Sequence, residues 1–236
     1  MKRVCLLTGG SGKFGSAFCA AFSSRYDIAC IFHKHAPGPP HSRARFIDPL
    51  SPSKELPENS NPVFAIQADL RHPGECERTL DLVHARFGRI DVVIHAAVVS
   101  VWGSIINSSK LRESVQEQFS LNVISPFQLS ALLVRRYWRQ DPAGNRNRNC
   151  NIIHLSSVAA SRLFPGQGQS VYASTKAALN CLTIHMADEF ALYGIRVNAL
   201  APDRFDSKIP LDKVVQEAIK LDEGSCTGEI RECCLE

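Results

Sequence analysis

Long apolar runs are absent from this chain. None approaches the roughly 20 residues that a membrane-crossing helix needs, so no membrane contact is expected. A secretory leader is not expected either. Met1-Lys2-Arg3-Val4 passes straight into a strand-like segment, with no apolar stretch or small-residue cleavage site ahead of it. Cys-x-x-Cys pairs are lacking. The nine cysteines are scattered and odd in number, and Cys233-Cys234 lie too close together for a metal knuckle. Reduced thiols in a cytoplasmic protein are expected, with no disulfide framework and no metal site. Charge of one sign is scarce too: a net +4 at pH 7 is too weak to argue for nucleic acid as a partner. Internal repeats and linkers are also missing, so 1–236 reads as one domain. Its 44% hydrophobic and 21% charged residues are the balance of an ordinary globular protein with a real core.

Strand-like and helix-like segments alternate along the chain. Val4 to Leu7, Ile28 to Phe32, Val63 to Ala68, Asp91 to Ala97, Asn151 to Ser156 and Arg196 to Leu200 read as strands, with Glu229 to Cys233 as a short last one. Helical spacing predicts helices over Ser16 to Arg25, Glu75 to Phe87, Leu111 to Ser120, Val123 to Gln140, Ala177 to Leu192 and Asp212 to Leu221. The alternation predicts an α/β fold: a doubly wound parallel sheet of Rossmann type, in a single domain, with helices on both faces. Ala36 to Pro62 breaks the pattern. Seven of the thirteen prolines fall there, which denies it a long helix and makes 36–62 an extended surface insertion. Asp141 to Asn149 reads as a polar loop.

The chemistry centres on Tyr172-Ala173-Ser174-Thr175-Lys176. A tyrosine and a lysine four apart share one face of a helix. A free tyrosine, with a pKa of about 10, is a poor acid or base near neutrality; a lysine cation beside it favours the phenolate and lowers that value. A second signal lies at the start of the chain. The strand Val4 to Leu7 runs into Thr8-Gly9-Gly10-Ser11-Gly12-Lys13-Phe14-Gly15, just ahead of a helix. A glycine-rich turn in that setting lets the backbone approach a pyrophosphate, while the helix N-terminus supplies free N–H groups. The second strand ends in His33-Lys34-His35. An acidic residue there would bind ribose hydroxyls and select NAD, whereas histidine and lysine suit a 2′-phosphate. Lys13 and Ser11 could reach the same phosphate. NADPH/NADP is therefore the expected cofactor, with NADH as the alternative. The small residues Ala96 and Ala97 at the fourth strand's end would let a nucleotide lie against the backbone.

These motifs, in this order, resemble the short-chain dehydrogenase/reductase family, and the resemblance covers nearly the whole chain. The matching residues are Thr8-Gly9, Gly12 and Gly15, then Asp69-Leu70, Asn122, Ser156-Ser157, Tyr172 with Lys176, and Arg196 to Pro202. The resemblance implies an NADP-dependent oxidoreductase that reduces a ketone or aldehyde. Tyr172 would be the general acid, and Ser157 would hydrogen-bond the same carbonyl oxygen. Lys176 would lower the pKa of Tyr172 and bind the nicotinamide ribose, and Asn122 would hold a water linking Lys176 to solvent. Cofactor contacts would come from Gly9, Ser11, Gly12, Lys13, Phe14, Gly15, His33, Lys34, Asp69, Leu70, Ala96, Ala97, Tyr172, Lys176 and Pro202. The helices around Asn122 and after Tyr172 imply a homodimer or homotetramer.

The chain also departs from the family's pattern. Its glycine spacing and His95-Ala96-Ala97 resemble the extended members, while its length and Asn122 resemble the short ones. The interval from Ser157 to Tyr172 is slightly long, with the extra residues expected in Phe164 to Gln169, beside the substrate. Asp203 stands where the family has glycine, close to the expected nicotinamide amide. The region 203–236 is short, so a substrate lid is expected to be mostly missing, which would suit a bulky or carrier-bound substrate. Arg135, Arg136, Arg139, Arg146 and Arg148 could hold an acidic carrier protein. Two other readings share the fold: a cofactor- or ligand-sensing protein without turnover, and an epimerase or dehydratase.

Overall fold

In the computed structural model, which describes residues 2–36, 63–203 and 209–234, seven strands form one parallel sheet in the order β3-β2-β1-β4-β5-β6-β7. The strands are β1 (Arg3–Thr8), β2 (Tyr26–Phe32), β3 (Val63–Gln67), β4 (Val92–His95), β5 (Asn151–Leu155), β6 (Arg196–Pro202) and β7 (Ile230–Cys233). The α-helices are α1 (Lys13–Phe22), α2 (Pro73–Phe87), α3 (Ser109–Glu113), α4 (Val115–Phe119), α5 (Ser125–Arg136), α6 (Pro142–Asn147), α7 (Ser170–Ala191) and α8 (Leu211–Glu223).

A parallel sheet must be covered on both faces, and β1 demonstrates how. Val4 and Leu6 point into one apolar cluster, while Cys5 and Leu7 point into another. The first cluster is closed by Leu80 and Val83 of α2, Leu129 and Leu133 of α5, and Met186 of α7. The second is closed by α1 and α8 through Phe14, Phe18, Phe22, Val214 and Ala218. Phe18 is fully buried, with ring centroids 6.1 Å from Phe14, 5.5 Å from Phe22 and 5.9 Å from Tyr26. Burying such a ring stabilises the fold by about 1.5–3 kcal/mol. At the edge where the strands begin, Asp222 of α8 is buried. It accepts from Arg3 Nε at 3.0 Å, Arg3 Nη2 at 2.9 Å and Tyr26 Oη at 2.8 Å, tying α8 to β1 and β2.

Three stretches differ from the sequence expectation. Helix α1 begins at Lys13 rather than Ser16, because Gly12 serves as its N-cap and Gly15 is accepted inside the helix. Gly15 is there for closeness: a Cβ on it would lie 2.5 Å from the Gly9 carbonyl oxygen. Asp141 to Asn149 is not a loop. Asp141 caps a helix, accepting from Gly144 N at 2.9 Å, and Pro142 occupies its first turn. The two helices expected around Asn122 are α3, α4 and α5, with a π-helical segment, Ser120–Ile124, carrying α4 into α5. All but the first residue of the proline-rich insertion 36–62, and residues 204–208 of the shortened C-terminal region 203–236, lie outside the described residues.

Candidate active site

Two adjoining cavities open where the strands end, next to the point where β1 has β2 on one side and β4 on the other. Chain connections leave in opposite directions there, which opens a crevice above the sheet. The glycine loop forms the crevice floor. Gly9 has φ +71°, and a Cβ on it would lie 2.7 Å from the backbone of Ala96 and Ala97. A Cβ on Gly10 would lie 1.7 Å from Cys30 Sγ. Thr8 Oγ1 accepts from the N–H groups of both Ala96 and Ala97 at 3.0 Å, fixing the exit of β4 against the loop. Gly12 caps α1 without a side-chain bond, so the first-turn N–H groups remain available to an anion. A dinucleotide fits this cradle.

The first cavity, about 350 Å³, is lined by Gly9, Ser11, Gly12, His33 and Lys34 together with Asp69, Leu70, Ala96 and Ala97. The second, about 580 Å³, shares Ala96 and Val98 with the first and is lined by Lys13, Ser157, Tyr172, Lys176 and Pro202. Lys13 and Ser11 therefore divide: Ser11 faces the cavity of His33 and Lys34, while Lys13 faces that of Tyr172. Phe14, Gly15 and Asn122 line neither. Phe14 is in the aromatic stack, Gly15 is packed under Gly9, and Asn122 is buried.

In the second cavity, Ser157 caps a single 3-10 turn, Val158–Ala160, and accepts from Ala159 N at 3.1 Å. Tyr172 and Lys176 lie one turn apart on α7. Lys176 Nζ donates to Leu155 O at 2.6 Å and stands 5.7 Å from the centre of the Tyr172 ring. Burial pushes the Tyr172 pKa up, with a hydrogen bond to Ser157 working the other way. Burial also brings Lys176 down from 10.5 to about 7. The expectation that a lysine cation lowers the tyrosine weighs charge without burial. In this structure the ammonium is itself stripped of water, so burial decides the direction for both groups.

Asn122, which the motif order marks, works beside several supporting residues that carry no linear signal. Asn122 Oδ1 accepts from Val99 N at 2.9 Å, and its Nδ2 donates to Val99 O at 2.8 Å and Thr175 Oγ1 at 3.0 Å. One turn earlier, Gln118 grips Val101 through its N–H and C=O, both at 3.3 Å. The pair holds the chain after β4 along the cavities. Gly103 N donates to Gly168 O at 2.9 Å, clasping that chain to the loop before α7. Phe164, Gln167 and Gln169 of this loop line the second cavity, as does Trp102, whose ring is 6.3 Å from Tyr172. Beneath the site, His95 Nε2 pairs with Ser130 Oγ at 2.9 Å and His154 Nδ1 with Thr183 Oγ1 at 2.8 Å. Burial pushes the His95 pKa down to about 3 and drives His154 well below its ordinary value, so both are neutral structural groups.

Comparison with known proteins agrees with this geometry. The family model described as short chain dehydrogenase matches residues 3–217. The bovine (Bos taurus) protein named 3-hydroxyacyl-CoA dehydrogenase type-2 is 30% identical over 211 residues, covering 87% of this chain and 74% of that protein. The match to its human counterpart of the same name spans 58% of that protein's length. Among solved structures, a 3-ketoacyl-(acyl-carrier-protein) reductase from Brucella melitensis complexed with NADH superposes with a TM-score of 0.76 at 18% identity, covering 98% of this chain and 96% of that one. The RhlG/NADP complex from Pseudomonas aeruginosa superposes with a TM-score of 0.76 at 19% identity, covering 98% and 94%. Both share the fold, and the two hold different nucleotides. Among the described residues no helix is long and apolar enough to cross a membrane.

Proposed function

The chain belongs to the short chain dehydrogenase family, its relatives named as dehydrogenases and reductases mark it as an NAD(P)-dependent oxidoreductase, and from that membership we propose that it reduces a small ketone or aldehyde with NADPH. One observation carries the reading: Ser157, Tyr172 and Lys176 line one cavity, which adjoins the cavity lined by the glycine loop and His33-Lys34. When bound, the nicotinamide supplies the hydride. Tyr172 Oη donates the proton that the carbonyl oxygen takes up, and the Ser157 hydroxyl hydrogen-bonds that oxygen as charge gathers on it. The raised Tyr172 pKa keeps the phenol protonated and ready to donate. Lys176, fixed by Leu155 O, sits one turn behind Tyr172 and steadies the phenolate left after transfer. The Asn122 side chain is committed to Val99 and Thr175, so its part is to hold the cavity wall; any water it steadies would use the main chain of the π segment. Phe14 and Gly15 serve the nucleotide through the shape of the loop rather than by contact.

Support for NADPH comes from three basic residues, His33, Lys34 and His35, around the first cavity, where a 2′-phosphate would find charge and donors. The second cavity sets Trp102, Phe164 and Val158 around the reacting position, which suits a carbonyl compound with an apolar substituent. Two of the five arginines that could receive an acidic carrier, Arg136 and Arg148, stand at the other edge of the sheet. Arg148 Nε lies 3.7 Å from Asp91, just before β4 begins, and Arg136 pairs with Asp81 at 2.8 Å. That placement supports a free small molecule as the substrate. A homodimer is supported by exposed Val115, Ile124 and Phe127 along α4, the π segment and α5, and by Ile184 on α7: apolar faces that a second copy would cover.

The test is oxidation of NADPH and NADH against a panel of ketones and aldehydes, with Tyr172→Phe in parallel. Turnover with NADPH should fall at least 100-fold in Tyr172→Phe, while the dinucleotide Kd stays within about threefold. Equal affinity for NADP and NAD would sink the cofactor preference; turnover that survives Tyr172→Phe would sink the assignment of the acid.

A further inference from the structure

Trp102 walls the second cavity beside Tyr172, and 42% of it is exposed. The chain's other tryptophan, Trp138, is an ordinary core residue, buried with its Nε1 donating to Ile90 O at 2.9 Å. Trp102 is held open by its neighbours. Ahead of it, Val101 is gripped through both its N–H and its C=O by Gln118. Gln118 is fully buried, and its Nε2 also donates to Ser114 Oγ at 3.0 Å. Behind it, Gly103 N donates to Gly168 O at 2.9 Å. The two backbones meet so closely there that a Cβ on Gly168 would lie 2.7 Å from Gly103. A half-open indole thus stands on backbone pinned at both adjoining residues. Only its two side-chain torsions stay free, so a ligand that covers it spends little ordering entropy.

The indole centre is 6.3 Å from that of the Tyr172 ring, with the planes tilted by 52°. That is within the range of about 4.5–7 Å over which aromatic rings interact. A carbonyl whose oxygen meets Tyr172 Oη therefore carries its substituent to the wall that Trp102 forms. Phe164 lines the same cavity, so three aromatic side chains bound the space around the reacting carbon. Such rings favour another ring, offset-stacked or edge-to-face, by more than the area buried. A planar ring joined to the carbonyl carbon can lie along a fixed indole over its whole face. A puckered saturated ring of the same size meets it only at a few hydrogens and forfeits much of the dispersion contact.

Resting on the carbonyl-reduction reading above, we propose that Trp102 is the residue that determines substrate choice, and that the substrate is a ketone or aldehyde whose carbonyl is attached to a planar unsaturated ring.

The experiment compares matched pairs that differ only in the ring: acetophenone with cyclohexyl methyl ketone, and benzaldehyde with cyclohexanecarbaldehyde. Steady-state kinetics with NADPH give the aromatic-to-saturated ratio of kcat/KM for the wild-type chain, Trp102→Phe and Trp102→Leu. The intrinsic reactivity of each compound cancels when one chain's ratio is divided by another's. The ratio should fall roughly three- to tenfold in Trp102→Leu, the worth of one ring contact, and stay within about twofold in Trp102→Phe. A second measurement needs no variant: calorimetry on the wild-type chain with NADPH, using benzamide and cyclohexanecarboxamide, which carry a carbonyl and are not reduced. Benzamide should bind at least about threefold more tightly, although the saturated ring is the more hydrophobic. A ratio unchanged in Trp102→Leu would overturn the proposal, and so would equal or reversed affinity for the two amides. An NADP Kd weakened more than about tenfold in Trp102→Leu would overturn it as well, by placing the indole on the nicotinamide. A wild-type chain that reduces nothing in a wide panel of ketones and aldehydes removes the carbonyl reading and this proposal with it. Turnover whose aromatic-to-saturated ratio is indifferent to Trp102 removes the proposal alone.

Discussion

A Lys176→Met substitution separates what this lysine costs the fold from what it contributes to chemistry. The ammonium is 3% exposed, and burial brings its pKa from 10.5 to about 7. Between those two values the unfolded chain holds a proton that the folded chain has lost, so stability rises with pH across the window from 7 to 10.5. Each pH unit in that window is worth about 1.4 kcal/mol, so the buried lysine costs the fold about 4 kcal/mol at pH 7 and about 2 kcal/mol at pH 9. Methionine has similar length and no charge, but it leaves Leu155 O without its donor, a loss of about 1–3 kcal/mol. The variant should therefore be more stable than the parent by about 1–3 kcal/mol at pH 7, and that advantage should shrink by about 2 kcal/mol at pH 9. In a domain of this size 1 kcal/mol moves Tm by about 2–4 °C, so the Tm difference should narrow by about 4–8 °C. Thermal unfolding of both cofactor-free proteins at pH 7, 8 and 9, followed by circular dichroism, reads this directly, because other titrating groups cancel in the difference. A Tm difference that stays constant from pH 7 to pH 9 would refute the reasoning, since the lysine would then keep its ordinary affinity for the proton.

Asp222→Asn should lower Tm by about 6–12 °C, because it leaves Arg3 and Tyr26 around a neutral group at a cost of about 3 kcal/mol; a drop under 2 °C would count against Asp222 as a tie between α8 and the first strands. Dinucleotide affinity should be unchanged, as Asp222 lies at the far edge of the sheet. Gly168→Ala places a side chain at φ +63° with its Cβ 2.7 Å from the Gly103 backbone. It should open the clasp between the two loops, raising KM for the carbonyl substrate about tenfold or more with the dinucleotide Kd unchanged. The reverse pattern in steady-state kinetics and binding would place the clasp in the nucleotide site instead.

What can be read from the sequence is local. The strands are legible because apolar runs such as Ile28 to Phe32 are bounded by turn residues, and the glycine loop and Tyr172 with Lys176 because each fits within a few residues. The start of α1 is not legible, because Gly12 and Gly15 weigh against a helix in isolation, while in the fold they permit close approach to Gly9. Helix α6 is obscured although Asp141-Pro142 is a recognisable start, because the polar residues after it suggest a loop. The π segment leaves no trace, since a few residues of altered pitch do not change apolar spacing enough to notice. The grip of Gln118 on Val101 and the Gly103–Gly168 clasp join residues that no linear spacing connects. Whether the Tyr172 pKa rises or falls depends on how deeply the site is buried, which the spacing of two side chains does not reveal.

The π segment makes the cavity wall sensitive to counting. A π turn is an α-helix with one residue too many, and here that surplus sets the angular phase at which Asn122 and Gln118 leave the helix. Deleting a single residue between Ser120 and Ile124 would produce a more regular helix. The flanking helices would keep nearly their present phase, but a deletion ahead of Asn122 would leave it three residues from Gln118 instead of four, about 1.5 Å closer along the axis, so the two amides could no longer both meet Val99 and Val101. Indel tolerance should therefore be lowest in a stretch where conservative substitutions are mild. A shorter chain would gain helical regularity and lose the alignment of the strip that faces the substrate.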